Sequence, residues 1–117
     1  LKDIGLAGVG FRPLYFTPTF SKHRGERCGG VQLHIENREA FDSVGFGPHL
    51  LATIKQLYPD HFGWLPPTNG DYFIDKLAGT SSLRETIDAV QNVDDLLSVW
   101  RSDSDTFRTS RSDTLLY

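Results

Sequence analysis

The sequence predicts an α+β fold in which a small sheet of a few strands packs against about three helices. Apolar residues alternate with period two in the first third of the chain and recur at helical spacing in the remainder. Strands come mostly first and helices mostly later, an order that favours separate α and β layers over a doubly wound sheet. At 117 residues, 38% of them hydrophobic, residues 1–117 are expected to form a single domain with its own core.

The two clearest predicted strands lie on either side of a polar loop. Val9–Phe16 is rich in residues that favour strands. Residues 31–35 alternate aliphatic and polar side chains, so we expect the aliphatic ones to enter the core while Gln32 and His34 point to the other face. Residues 17–30 contain a proline and three glycines among polar side chains, and a loop of that length in a compact domain is often functional.

Three later segments have helical periodicity. The first is predicted to begin at Pro48, which suits the first position of a helix, and to end before Pro59. The second begins with a capping box at Ser82, and the third begins at Asn92. Segment 72–77 is apolar but too short to distinguish a strand from a helical turn. The predicted core positions of the last two helices are Leu83, Ile87, Val90, Leu96, Leu97, Trp100 and Phe107.

The charge pattern argues against two classes of partner. Twelve basic and 15 acidic residues give a formal net charge of -3, and they are interspersed without a long run of one sign. A nucleic-acid or membrane-surface site would need clustered cations, and no stretch approaches the roughly 18 apolar residues of a membrane span. We therefore expect no nucleic-acid partner and no membrane span. The chain contains no methionine, even at its start, which predicts a domain trimmed from a longer protein.

The loop and the second strand contain the candidates for chemistry. Cys28 with His23 or His34 could form a nucleophile and base, because a thiolate needs a nearby proton acceptor or cation. The same side chains with Glu36 could bind a metal ion. The plainer interpretation is a small buried thiol beside two glycines, with histidines that form hydrogen bonds in a polar cleft, since no third orienting residue accompanies the cysteine. We therefore predict no metal and no cofactor.

The two tryptophans are candidates for different roles. Trp100 belongs to the apolar stripe of the last helix and is predicted to lie in the core. Trp64 lies in a loop rich in glycine and proline, where it could cover a core edge or stack on a sugar ring. The glycines of the first loop match neither the Walker pattern nor the dinucleotide pattern, so phosphate binding is not predicted.

Four blocks of sequence carry a resemblance to a known family. They are FRPLYFTPTFSKHRGERCGGVQLHIENR, LLATIKQLYPDHFGW, FIDKLAGTSSLRETI and the closing residues 111–117. Together the blocks span essentially the whole chain, and it resembles the C-terminal domain of the NamZ-type exo-β-N-acetylmuramidases. The chain departs from that pattern at Asn37, where an acid is expected, at Ser43, where proline is commoner, and at Thr114, where an aromatic residue is usual.

The resemblance implies a function for a larger protein. Enzymes of this family have an N-terminal Rossmann-like domain that carries the catalytic glutamates and a smaller C-terminal domain that closes the cleft. They release N-acetylmuramic acid from the non-reducing ends of peptidoglycan fragments. By this resemblance the chain is an accessory domain without catalytic residues, and its partners are the Rossmann-like domain and a muropeptide or muramyl sugar. A location in the cell envelope, periplasmic or secreted, is also implied.

Polar residues of the first block are the sugar ligands that the resemblance suggests. They are Thr19, Lys22, His23, Gln32 and His34. Lysine and histidine suit an anionic lactyl group, and glutamine suits a neutral amide. Two other classes remain open: a free-standing module that binds a protein through the polar strand face, and a small Cys-His hydrolase. An upstream coding region with a Rossmann-like pattern would favour the glycosidase over the module.

We expect Cys28 to react slowly with a thiol reagent at pH 6, because an ordinary thiol stays protonated at that pH and the thiolate is the reactive form. The extent of labelling can be followed by mass spectrometry of the intact protein. Rapid modification at pH 6 would favour the Cys-His hydrolase instead.

Overall fold

The computed structural model describes residues 1–116, so Tyr117, the last residue of the closing block, lies outside the described residues. The chain divides into two compact units, of which the first comprises residues 1–46 and the second begins at Gly47. Within residues 1–116 the regular elements are two antiparallel strands, four α-helices and two short 3-10 turns. The predicted α+β class is therefore confirmed. In this described part, no helix is long and apolar enough to cross a membrane.

The first unit is built on an antiparallel hairpin. A 3-10 turn at Lys2–Ile4 precedes strand β1, Val9–Phe16, which pairs with strand β2, Cys28–Ile35. Val9 lies opposite Ile35, and the strands remain in register from there to the polar loop. The β1 bounds are those expected from the sequence, whereas β2 begins at the cysteine, before the predicted start of the alternating segment.

Alternation divides the hairpin into an apolar face and a polar face. The apolar face consists of Val9, Phe11, Pro13, Tyr15, Gly29, Val31, Leu33 and Ile35. Phe11 stacks on Phe46 with 6.0 Å between the ring centroids. However, Val31, Leu33 and Ile35 remain 48%, 38% and 44% exposed, so the prediction that they enter the core is wrong. Period-two alternation sets the direction of a side chain, but a pair of strands is too narrow to bury its own face.

Gly8 closes the hairpin at the end opposite to the loop. Its carbonyl accepts the N–H groups of Glu36 at 2.9 Å and Asn37 at 3.2 Å. Its φ is +72°, and a β carbon at this position would lie 2.5 Å from the carbonyl oxygen of Asn37. Because that neighbour is backbone and cannot rotate away, the turn requires glycine both for its φ angle and for its close approach.

Helix α1, Ser43–Leu57, begins five residues before Pro48, so the predicted start at the proline is wrong. The reason lies in the preceding residue. Asp42 accepts the N–H of Gly45 through its carboxylate at 3.0 Å and the N–H of Phe46 through its carbonyl at 3.0 Å. These bonds satisfy N–H groups that the first helical turn leaves free, and the helix therefore starts upstream of the proline.

The remaining helices are α2, Phe73–Ala78, α3, Ser82–Asp88, and α4, Val93–Ser110, followed by a 3-10 turn at Ser112–Thr114. The ambiguous apolar segment is thus helical, and Gly79 ends it with a φ of +73°. Asn92 caps α4 as predicted, since its side chain accepts the backbone N–H two residues on at 2.9 Å. The capping box at Ser82 is wrong: the cap residue is Ser81, and the Ser82 N–H bonds to the hydroxyl of Thr80 at 3.2 Å.

The core of the second unit forms between α3 and α4. Leu83, Ile87 and Val93 are 5%, 2% and 4% exposed and contact one another. The partly buried side chains packed around them are Leu51, Ala52, Phe62, Trp64, Ile74, Ala78, Leu96 and Trp100. The prediction that Trp100 belongs to the core is confirmed, and the same cluster contains Trp64.

Two predicted core residues are exposed. Val90 is 77% exposed because α3 has already ended at Asp88 and Val90 lies in the following turn with a φ of +54°. Phe107 is 63% exposed. An 18-residue helix is about 27 Å long at 1.5 Å per residue, and the part of α4 beyond Trp100 has only exposed residues.

Polar pairs connect the helices around this core. Both Nε and Nη2 of Arg84 on α3 donate to the carboxylate of Asp75 on α2, at 3.0 and 2.9 Å. Hydrogen bonding to the Asp75 carboxylate raises the pKa of Arg84 above its ordinary value. His49 is 8% exposed, and its Nε2 lies 3.2 Å from Oδ1 of Asp94, which connects α1 to the first turn of α4.

The tryptophans give a test of the core. Trp64 donates its Nε1–H to Asp88 at 2.8 Å and lies edge-on to Phe62 at 5.0 Å. Because both tryptophans pack against the core cluster, we expect Trp64→Ala and Trp100→Ala each to destabilise the fold by about 3 kcal/mol. Trp64→Phe keeps a ring and loses the hydrogen bond, at a cost of about 1 kcal/mol. Chemical denaturation measures all three, with Val99→Ala as an exposed control. If Trp64→Ala left the free energy of unfolding unchanged, the ring of Trp64 would not support the core.

Two glycine substitutions separate backbone strain from steric overlap. Gly25 has a φ of +78° with nothing near its β position, whereas Gly8 has a similar φ and the close backbone contact. We expect Gly25→Ala to cost about 1 kcal/mol from the φ angle alone and Gly8→Ala about 3 kcal/mol or more. If chemical denaturation showed the same loss of unfolding free energy for both variants, the closure that we assign to Gly8 would be contradicted.

Candidate functional site

The polar face of the hairpin presents side chains of different chemistry along a single line. It consists of Gly10, Arg12, Leu14, Phe16, Cys28, Gly30, Gln32 and His34. Gln32 lies opposite Arg12, and His34 lies opposite Gly10. Opposite residues of an antiparallel pair are about 5 Å apart, and successive residues on one face of a strand are about 7 Å apart. Arg12, Gln32 and His34 are therefore neighbours on this face.

An aromatic ring adjoins these polar side chains. A β carbon on Gly30 would lie 2.9 Å from Cε1 of Phe16, so the Phe16 ring lies across the position that glycine leaves open. The side chain of Phe16 is 47% exposed. Sugar rings bind to proteins through aromatic faces combined with hydrogen-bonding groups, because their C–H surface is apolar and their hydroxyls are polar. The polar face offers both kinds of contact.

Gln32 and His34 are the two predicted site residues that the structure brings together. Both are exposed. Within residues 1–116, neither side chain forms a hydrogen bond or ion pair with another residue. Their donors and acceptors thus remain available to a ligand.

The other three predicted residues, Thr19, Lys22 and His23, lie in the loop that joins β1 to β2. His23 adopts a φ of +57°, and its Nδ1 lies 3.3 Å from Oε2 of Glu26. His34 is six residues along β2 from the loop, or about 20 Å at 3.3 Å per residue. The hairpin thus separates the predicted residues into a pair on the polar face and a group in the loop.

The geometry does not favour a cysteine hydrolase. The thiol of Cys28 donates to the carbonyl oxygen of Glu26 at 3.6 Å. His34 shares its face but lies about 20 Å along the strand, and His23 is paired with Glu26. Among the described residues, no three His, Cys, Asp or Glu side chains come close enough together to hold a metal ion.

Sequence reasoning missed Arg12 and Phe16. Both follow from the alternation of β1, in which even-numbered residues share the face of Gln32 and His34, but only if the pairing register is known. A long loop connects the two strands, and loop length alone does not fix the register of such a hairpin. The alternation of β1 was the available signal for their face, and their neighbours became visible only in the structure.

The second unit contains an apolar groove of about 230 Å³. It is lined by Leu51, Phe62, Gly63, Trp64, Leu65, Phe73, Ile74 and Leu77. These side chains offer no free hydrogen-bonding group, since the indole N–H of Trp64 is bonded to Asp88. A sugar needs partners for its hydroxyls, so the polar face of the hairpin is the better candidate for a sugar site.

Comparison with known sequences connects this geometry to a family. The family described as exo-β-N-acetylmuramidase NamZ, C-terminal, matches residues 1–117. The chain is 38% identical over 117 residues to the peptidoglycan β-N-acetylmuramidase NamZ of Bacillus subtilis. That alignment covers 100% of the chain but 27% of the Bacillus protein, so the chain spans about a quarter of the length of this relative.

A solved structure gives the same picture of the fold. The chain is similar to a crystal structure, at 1.65 Å resolution, of a DUF1343 family protein from Bacteroides fragilis, with a TM-score of 0.80 and 26% sequence identity. The match covers 99% of this chain and 30% of that protein. In both comparisons the whole chain corresponds to a minor part of a longer protein.

Proposed function

Because the chain belongs to the family of NamZ C-terminal domains, we propose that it forms one wall of the sugar cleft of an exo-β-N-acetylmuramidase. In this proposal the longer enzyme releases N-acetylmuramic acid from the non-reducing ends of peptidoglycan fragments. The observation that carries the proposal is the polar face of the hairpin, where Gln32 and His34 have no partner within residues 1–116 and the exposed Phe16 ring lies over Gly30, the neighbour of Gln32 on that face.

The chemistry of this face suits a sugar with an amide substituent. The Gln32 side chain can both donate to and accept from an N-acetyl group, and His34 can donate to or accept from a ring hydroxyl. Phe16 offers an apolar surface for the C–H side of the ring. Thr19, Lys22 and His23 would extend the wall from the loop toward a neighbouring sugar of the peptidoglycan strand.

Catalysis in this proposal belongs to an N-terminal Rossmann-like domain of the same protein. Glycoside hydrolysis generally uses two carboxyl groups about 5 to 10 Å apart on either side of the bond. The polar face carries Glu36 at its edge, next to the position of Gly10, but no second carboxylate accompanies it among the described side chains of that face. The chain therefore binds and positions the substrate, and the protein acts at the cell envelope, where peptidoglycan lies.

We expect the longer protein that contains this chain to hydrolyse a chromogenic N-acetylmuramide, and His34→Ala to lower kcat/KM about 5-fold to 150-fold, because one hydrogen bond to the substrate is worth about 1 to 3 kcal/mol. His61→Ala is the matched control, since His61 is an exposed histidine outside the hairpin. The melting temperature should remain unchanged in both variants. Normal kinetics with a lower melting temperature in His34→Ala would make His34 structural.

The same assay on residues 1–117 alone should give no turnover, because the proposed catalytic carboxylates lie outside the chain. Circular dichroism establishes in parallel whether the isolated chain is folded. Turnover by the folded chain at the rate of the longer protein would contradict the proposal that the catalytic carboxylates lie in the N-terminal domain.

A further inference from the structure

We propose that Arg12 is the residue that recognises the lactyl carboxylate of the muramyl sugar, and that it thereby sets the preference of the site for an acidic sugar. This inference rests on the proposed function, because it names the group on the ligand that one residue of the same face would bind. Arg12 is not among the residues that the sequence pattern suggested for ligand binding.

The pairing register carries the argument. Arg12 lies directly opposite Gln32, and Gly10, two residues away on the same face, lies opposite His34. Gly10 and Gly30, two neighbours of Arg12 on this face, have no side chains, and the Glu36 carboxylate lies over the first while the Phe16 ring lies over the second. Arg12 is therefore a neighbour of both polar residues of the proposed sugar site.

Arg12 is also available. It is exposed, and within residues 1–116 it forms no ion pair, hydrogen bond or aromatic contact. Arg27 differs, because its guanidinium lies 4.5 Å over the ring of Tyr15, which belongs to the apolar face. Lys22 lies in the loop beyond the last strand pair, Phe16 with Cys28, whereas Gln32 lies within the paired strands.

The charges along the face favour one orientation of the ligand. Glu36 lies over Gly10 with Oε1 2.7 Å from the position of a β carbon there, so the negative end of the face is at the His34 side. Arg12 supplies positive charge toward the Phe16 side. A sugar with hydroxyls at one end and a carboxylate at the other would place its hydroxyls near Glu36, which accepts hydrogen bonds, and its carboxylate at Arg12.

Arginine suits a carboxylate better than lysine does. Its planar guanidinium donates two parallel N–H groups to the two carboxylate oxygens, a geometry that a lysine ammonium lacks. N-acetylglucosamine is similar to N-acetylmuramic acid but has no lactyl carboxylate. A single cation at this position would therefore distinguish the two sugars by charge, while Gln32 and His34 contact features that both share.

The test compares two chromogenic substrates in the longer protein, an N-acetylmuramide and the same compound with its lactyl carboxyl converted to a methyl ester. The variants are Arg12→Ala, Arg12→Lys and Arg12→Gln, and Arg38→Ala is the matched control, an exposed arginine after the end of β2. Melting temperatures show whether each variant is folded. If the shorter side chain makes Arg12→Ala less stable, Arg12→Gln replaces it as the uncharged variant.

We expect the wild type to favour the free acid, and Arg12→Ala to lower kcat/KM for the acid about 10-fold to 100-fold while leaving that for the ester nearly unchanged. For the acid, the kcat/KM of Arg12→Lys should lie between those of the wild type and Arg12→Ala. Arg38→Ala should have the same kcat/KM as the wild type. An equal loss on acid and ester, or no loss on either, would overturn the role of Arg12 while the muramidase proposal stands. A wild type inactive on both substrates would overturn both proposals together.

Discussion

The pairing register of the hairpin is the constraint on which the site depends. Side chains of a strand alternate between faces, so a slip of one residue would move Gln32 and His34 from the polar face to the apolar face and disperse the neighbours of Arg12. The closure at Gly8 holds this register, since its carbonyl binds two consecutive N–H groups after β2 and its β position has no room for a side chain. The closure at Gly8 thus determines which residues meet on the polar face.

The two units use their side chains differently. In the second unit, α3 and α4 bury Leu83, Ile87 and Val93 in a cluster against which both tryptophans pack. In the first, the hairpin leaves much of both its faces accessible, including the aliphatic side chains of β2. A binding surface has this property, because side chains that contact a ligand are not consumed by the protein's own core.

The sequence predicted the elements better than their surroundings. Alternation in residues 31–35 identified β2 and the shared face of Gln32 and His34, because side-chain direction is a local property of a strand. Burial of Val31 and exposure of Val90 depend on what packs nearby and on where α3 ends, which a pattern does not contain. The start of α1 was missed because the cap formed by Asp42 outweighs the signal of a proline. Arg12 was missed because its neighbours lie on another strand.

A crystal structure of the longer protein with N-acetylmuramic acid bound tests the central claim most directly, because it locates the sugar relative to the polar face. The account predicts the sugar ring against Phe16, with hydrogen bonds from Gln32 and His34 and the lactyl carboxylate within about 3 Å of the Arg12 guanidinium. A sugar bound without any contact to the hairpin would contradict it.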